Sequence, residues 1–127
     1  MKKKRTFFPG LFDHFFFFFI EQATRVSSGL VLNALAGKLP ELVGGSADLN
    51  PSTMTYIKSS TDFQKATPAG RNIRFGVREH AMAAVCNGIA LYGALVPFGS
   101  TFLNFIGYAV KAFTVRFSFS DQYLCFL

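Results

Sequence analysis

Residues 71–82 read RNIRFGVREHAM, and the fold turns on this stretch. Ile73, Phe75 and Val77 alternate with Asn72, Arg74 and Gly76, which is strand periodicity. Arg78, Glu79 and His80 then sit side by side, and AMAAVCNGIALYG follows with helical spacing. Ionisable residues clustered where a strand passes into a helix mark a place for α/β chemistry, because ligands bind beyond the carboxyl ends of strands. Glu79 is the leading catalytic candidate on that ground. Its structural alternative is a carboxylate that simply favours the first turn of a helix through the macrodipole.

Downstream, the helix is expected over 79–91, with Met82, Val85, Cys86 and Ile89 on one apolar face. Ala81, Ala83, Ala84, Gly88 and Ala90 are small and allow a neighbour or a second subunit to approach closely. Gly93 is a stop signal. A strand and turn over 94–100 and a helix over 101–113 come next. Phe102, Phe105 and Tyr108 recur every three residues, a stripe that reads as core or as a platform for a flat ring. The tail FTVRFSFSDQYLCFL alternates like a strand, with Val115, Phe117 and Phe119 on one face.

Upstream, a helix is expected over 23–39, its apolar face built from Val26, Leu30, Ala34, Leu35 and Leu39, with Pro40 helping to end it. Ser27, Ser28 and Gly29 weaken its middle. Leu42 and Val43 make a short buried strand, after which Gly44 and Gly45 are read as a tight turn open to a ligand. Asp48, Asn50, Pro51, Ser52 and Thr53 form a polar turn, with Ser52 or Thr53 capping a short helix. Asp48 and Ser52 have a plain reading as turn chemistry. Residues 56–70 are loop-like. Three strand–helix units in series predict an α/β layered domain with a parallel sheet. So few strands leave open edges, so the sheet is expected to be incomplete, or to borrow surface from a partner.

The chain has 127 residues, enough for one small domain. Its formal net charge is +6, of which Lys2, Lys3, Lys4 and Arg5 carry four, leaving +2 elsewhere. No basic stripe interleaved with aromatics runs along one element, so nucleic acid is not an expected partner. Phe is abundant at 17 residues, five of them consecutive at 15–19. Pro9, Asp13 and His14 interrupt the leading apolar run, no small-x-small cleavage site follows, and the uninterrupted piece falls far short of the ~20 residues that cross a bilayer. Neither a signal peptide nor a membrane anchor is expected. Cys86 and Cys125 lack metal-ligand spacing and demand no disulfide, which points to a reducing compartment.

Four segments together resemble the transketolase family, specifically its central pyrimidine-binding domain: ATRVSSGLVLNAL (23–35), GGSADLNPS (44–52), DFQKATPAGRNIRFGVREHAMAAVCNGIALYG (62–93) and PFGSTFLNFIGYA (97–109). The wording is most similar to plant members, and GGSADL with GVREH is the specific part. The resemblance covers 23–109. It implies three parts: a Phe-rich N-terminal extension over 1–22, a truncated pyrimidine-binding domain over 23–109, and a divergent tail over 110–127.

The resemblance implies transfer of two-carbon ketol units between sugar phosphates, in the pentose phosphate pathway or the Calvin cycle, with thiamine diphosphate and a divalent metal, usually Mg2+. By resemblance Glu79 matches the glutamate that bonds the cofactor's aminopyrimidine ring, a case of acid–base chemistry relayed through a cofactor. Phe102, Phe105 and Tyr108 match the aromatic pocket around that ring, with Phe105 stacking on it, and Asp48 matches an aspartate beside the cofactor. Arg25 and Ser52 match the pair that binds the sugar phosphate, a task suited to a planar guanidinium fork. The family's metal and diphosphate motif has no counterpart, so no metal ligand is assigned and the chain alone is expected to be an inactive fragment. The implied partners are a second copy or full-length transketolase subunits, and the implied compartment is cytoplasm or plastid. The competing expectation is a non-catalytic interaction module of the same ancestry.

Overall fold

The computed structural model describes residues 22–117 and 125–126. Helix α1 (Thr24–Ala36) leads into strand β1 (Leu42–Ser46) and a one-turn helix α2 (Asn50–Thr53). A long loop then reaches helix α3 (Glu79–Tyr92), strand β2 (Val96–Ser100), a 3-10 helix (Leu103–Ala109), helix α4 (Val110–Phe117) and strand β3 (Cys125–Phe126). The sheet has the order β1-β2-β3, and both pairings are parallel. The α/β parallel-sheet class expected from the sequence is the observed one. The 1–21 leader and the Phe119 end of the tail alternation lie outside the described residues.

β1 runs from Leu42, opposite Val96, to Ser46, opposite Ser100. The glycines expected to turn the chain are inside this strand, because all five of its residues are buried and leave no room for side chains. A Cβ on Gly44 would overlap the carbonyl of Phe98, and one on Gly45 would overlap that of Ile73. Glycine here serves close backbone packing rather than flexibility.

The stretch 71–77 is not a strand. Only Asn72 forms bridges, to Gly44 and Asp62. The Gly44 N–H donates to the Arg71 carbonyl at 3.0 Å, and the Ile73 N–H donates back to Gly44 at 2.7 Å. Beyond that the alternation fails: Phe75 is buried, but Val77 is 77% exposed. The cause is the Asn72 side chain, which is fully buried and turned toward the long loop. Its Oδ1 accepts from the Ile57 N–H at 2.8 Å, while Nδ2 donates to the carbonyls of Ile57 (3.1 Å) and Ser60 (3.0 Å). A buried amide satisfied on both ends fixes a loop as firmly as ladder bonds fix a strand.

Arg71 holds the other side of that loop. Its Nη1 donates to the carbonyls of Ala36 (3.2 Å) and Leu39 (3.0 Å) at the end of α1. A guanidinium satisfies orphan carbonyls and suits the negative end of a helix. Lys38 and Leu39 N–H groups turn onto the Leu35 carbonyl, so α1 ends at Ala36, before Pro40 is reached. Its buried stripe is Gly29, Leu32 and Ala36, and Leu30 is 46% exposed, contrary to the expected face. Gly29 is there because the Met54 backbone crosses it: a Cβ would sit 2.8 Å from the Met54 carbonyl oxygen.

α2 begins at Asn50 with Pro51 in its first turn, so Ser52 and Thr53 lie within it and do not cap it. α3 starts at Glu79 and stops at Gly93, whose φ of 83° is left-handed, as its stop signal predicts. Met82 and Cys86 are buried as expected, joined by Ala83 and Ala90, whereas Val85 faces outward. Ala83, Ala109 and Ala112 form a contact of small side chains between α3 and the last helical segment, and Asn87 Nδ2 donates to the Ala112 carbonyl at 2.8 Å. The expected single helix over 101–113 is a 3-10 turn followed by α4, and 113–117 is helical rather than extended. Docking against α3 overrides the local alternation there.

Replacing Asn72 by Ala strips partners from the Ile57 N–H and from two or more carbonyls. The expected loss is about 3 kcal/mol, read from urea unfolding of the chain. Gly44→Ala is expected to destabilise by a similar or larger amount, roughly 3 kcal/mol, since backbone must move to admit the methyl group.

Candidate functional site

At the carboxyl end of β1 the chain makes an abrupt turn. The Ala47 N–H donates to the Ser100 carbonyl at 3.2 Å, which continues the β1–β2 register by one residue. Asp48 then adopts a left-handed φ of 65°, and the Leu49 N–H donates to Ser46 Oγ at 3.2 Å. A residue such as Asp tolerates this conformation better than most. The turn leaves Asp48 exposed beyond the strand ends.

A second segment arrives from the core. Phe75 packs with Ala47, Met82 and Cys86. Gly76 has φ 66° and redirects the chain, and Glu79 opens α3 three residues later. The third wall is the 3-10 helix. Its three-residue repeat puts residues three apart in line, and Phe102, Phe105 and Tyr108 follow one another as ring contacts. The centroids are 6.3 Å apart for Phe102–Phe105 and 6.5 Å for Phe105–Tyr108, the second pair being nearly parallel at 24°.

These three pieces enclose a cavity of about 460 Å³ lined by Ala47, Asp48, Leu49, Val77, Glu79, Phe105 and Tyr108. Glu79 is 9% exposed, and among the described residues its carboxylate has no hydrogen-bond or ion-pair partner. Tyr108 stands at the mouth, 69% exposed. A carboxyl group facing aromatic rings in a largely apolar cleft suits a flat, nitrogen-bearing heterocycle, with the rings supplying stacking area and the carboxyl group one directed hydrogen bond.

Four of the seven sequence candidates, Asp48, Glu79, Phe105 and Tyr108, thus share one cavity. Arg25 and Phe102 line a different one, of about 340 Å³, with the hydroxyl-bearing Thr24, Ser28, Thr53, Ser100 and Thr101. Ser52 lines neither; it is exposed on α2 beside Thr53. His80 is exposed. Among the described residues no three His, Cys, Asp or Glu side chains converge to hold a metal ion. Sequence reasoning missed Ala47, Leu49 and Val77 as walls, and Gly76 as the turn that aims α3. A lone glycine three residues before a helix start was the available signal for Gly76.

Fold and cavity together define a class: a parallel α/β domain with a cavity at its strand ends between a carboxyl group and an aromatic row. Residues 21–124 match the family model described as "Transketolase, pyrimidine binding domain", and the chain belongs to that family. It is 55% identical over 95 residues to a probable transketolase of Schizosaccharomyces pombe, covering 71% of this chain and 14% of that one. It is 57% identical over 94 residues to a chloroplastic transketolase of Craterostigma plantagineum, covering 73% and 18%. Among solved structures it resembles a Pichia stipitis transketolase in complex with sedoheptulose 7-phosphate, with a TM-score of 0.75 and 47% identity over 83% of this chain and 16% of that one. The chain therefore spans less than a fifth of the length of these relatives.

Under the cavity floor, the Cys86 thiol is fully buried and faces the Phe98 carbonyl at 3.6 Å. Burial pushes its pKa up to about 12 from the 9.0 of a free thiol. The folded chain therefore keeps this proton when the unfolded chain has lost it. Stability is expected to fall as pH rises between 9.0 and about 12, and to be insensitive to this group below 9.0. Cys86→Ser should flatten that part of the curve, measured by urea unfolding against pH.

Proposed function

We propose that this chain is the ring-binding part of a transketolase, and that it holds the aminopyrimidine of thiamine diphosphate in the cavity between Glu79 and Phe105. The observation that carries this reading is the convergence of Glu79, Phe105 and Tyr108 on one cavity at the carboxyl end of β1. The residues fit such a ring: a nearly buried carboxyl group with no protein partner among the described residues, set against stacked aromatics. When bound, thiamine diphosphate supplies the carbon nucleophile for transfer of a two-carbon ketol unit between sugar phosphates.

The chain's own contribution is binding, orientation and one proton. Phe105 presents its face to the ring and fixes its plane. The Glu79 carboxyl group would bond a ring nitrogen and hold a proton at that atom, the acid–base part of the chemistry the bound cofactor supplies. Ala47 and Leu49 supply apolar wall to the same cavity. Asp48 lines the same cavity and is exposed, so it would lie beside a ring held there. Arg25, on the first turn of α1, is the residue here suited to a sugar phosphate; Ser52, paired with it by resemblance, lies outside the cavity that Arg25 lines.

No metal ligands for Mg2+ are assigned to the described residues, so the diphosphate end belongs to another segment or another subunit. A homodimer, or pairing with full-length subunits, is the arrangement this reading carries. Residues 23–109 form the ring-binding unit in this reading, with 1–22 and 110–127 flanking it. Cytoplasm and plastid both suit it, and the chloroplastic relative supports the plastid. A second reading, a non-catalytic interaction module, draws support from the apolar outer face of α3, where Val85, Leu91 and Tyr92 are exposed.

A complementation assay separates the two. The chain is mixed with a transketolase that lacks its own pyrimidine-binding domain. Ketol transfer is expected to return, and Glu79→Ala or Phe105→Ala is expected to cut it by about tenfold or more. Stable association without any restored transfer supports the second reading.

A further inference from the structure

We infer that Arg78 is a positioning residue for Glu79, a role that deepens and rests on the reading of Glu79 given above. The chain leaves the core at Phe75 and must deliver Glu79 to the cavity four residues later. It does so through a tight turn. The Arg78 N–H donates to the Gly76 carbonyl at 2.8 Å, looping the chain around the exposed Val77. The Arg78 side chain then folds back over that turn, and its Nη1 donates to the Phe75 carbonyl at 3.0 Å. The Arg78 carbonyl accepts the first helical bond of α3 from the Met82 N–H at 2.8 Å. One residue thus ties the core exit to the helix start.

Two details set the surroundings of this side chain, which is itself exposed. A Cβ on Gly76 would lie 2.7 Å from Arg78 Nη1, so the left-handed glycine also clears the space the guanidinium fills. A cation at a helix N-terminus opposes the macrodipole, and the site is one where Ser, Thr, Asp or Asn would normally cap. Arg78 occupies the N-cap position and makes no side-chain cap bond. Its guanidinium instead takes the Phe75 carbonyl, which holds the first turn of α3 from behind. Glu79 is the next residue on that turn, so its direction depends on the tie.

The test uses the full 127-residue chain and two readouts. The first needs no ligand: amide hydrogen exchange by NMR. Arg78→Ala is expected to speed exchange at the residue 82 amide about tenfold, through local opening. The Ile73 amide, bonded to Gly44, and the midpoint of global unfolding are expected to hold. Arg78→Lys, which supplies one donor of similar reach, should restore most of the protection. The second readout is binding of 4-amino-2-methylpyrimidine, followed by the Glu79 amide resonance. Arg78→Ala is expected to weaken it about tenfold, as misplacement of a directing group does, and Arg78→Lys to recover it.

Unchanged exchange at residue 82 in Arg78→Ala overturns the inference. So does an equal rise at residues 73 and 82, or outright unfolding, either of which makes Arg78 a general structural residue. A Glu79→Ala chain that binds the pyrimidine as tightly as the parent defeats the reading of Glu79 instead, and the exchange data then decide Arg78 alone.

Discussion

The buried amide of Asn72 is the constraint on which the rest of this structure depends. The sheet among the described residues has only three strands, and β3 contributes two residues. So small a sheet cannot fix the long connection between α2 and α3 by ladder bonds alone. Asn72 replaces the missing strand. Its backbone bridges β1 on one side and Asp62 on the other, while its side chain closes on Ile57 and Ser60. Asn33 does the same from α1: its Nδ2 donates to the Tyr56 carbonyl and its Oδ1 accepts from the Lys58 N–H. Two amides and the Arg71 guanidinium thus convert a loop into a wall. Asn72, the buried one of the three, has the largest penalty for losing its partners.

That wall sets up the cavity. Because residues 71–73 are pinned against Gly44, Phe75 enters the core at a fixed place, beside Ala47 on the opposite flank of the site. The glycines of β1 matter for the same reason. With side chains at 44 and 45 the segment could not lie so close, and Ala47 and Phe75 would no longer meet. Glu79 and Asp48 therefore reach one cavity from segments about thirty residues apart because both begin from the same few square ångströms of backbone contact, a short lever for an accurate result.

The sequence conveyed the helices, the two longer strands and the parallel class, since these rest on periodicity and on stop signals such as Gly93. It misled wherever a polar side chain did backbone work. Asn72 alternates like the outward face of a strand, yet points inward, because its amide has four carbonyl or N–H partners there. Gly44 and Gly45 look like a turn, yet extend, because neighbouring carbonyls occupy the space a turn would leave. Leu30 and Val85 fit an apolar stripe, yet Gly29 and Ala83 are what face the core, because close backbone approach favours small residues over large ones. For the site, resemblance named residues that lie together, Asp48, Glu79, Phe105 and Tyr108, and others that lie apart. Arg25 and Phe102 share a second cavity, a separation no linear spacing conveys.

The 3-10 form of Leu103–Ala109 has a further bearing on how this segment can vary. Three residues per turn put Phe102, Phe105 and Tyr108 in an eclipsed column, each advancing by one full turn. A single inserted or deleted residue rotates everything beyond it by about a third of a turn. Tyr108 would leave the cavity, and Ala109 would swing away from Ala83, separating α4 from α3 at the same stroke. The aromatic column and the helix contact are thus phased by one count of residues. A substitution in this stretch alters one contact and leaves its neighbours in place, whereas a change of length shifts the aromatic column and the packing of the last helix together.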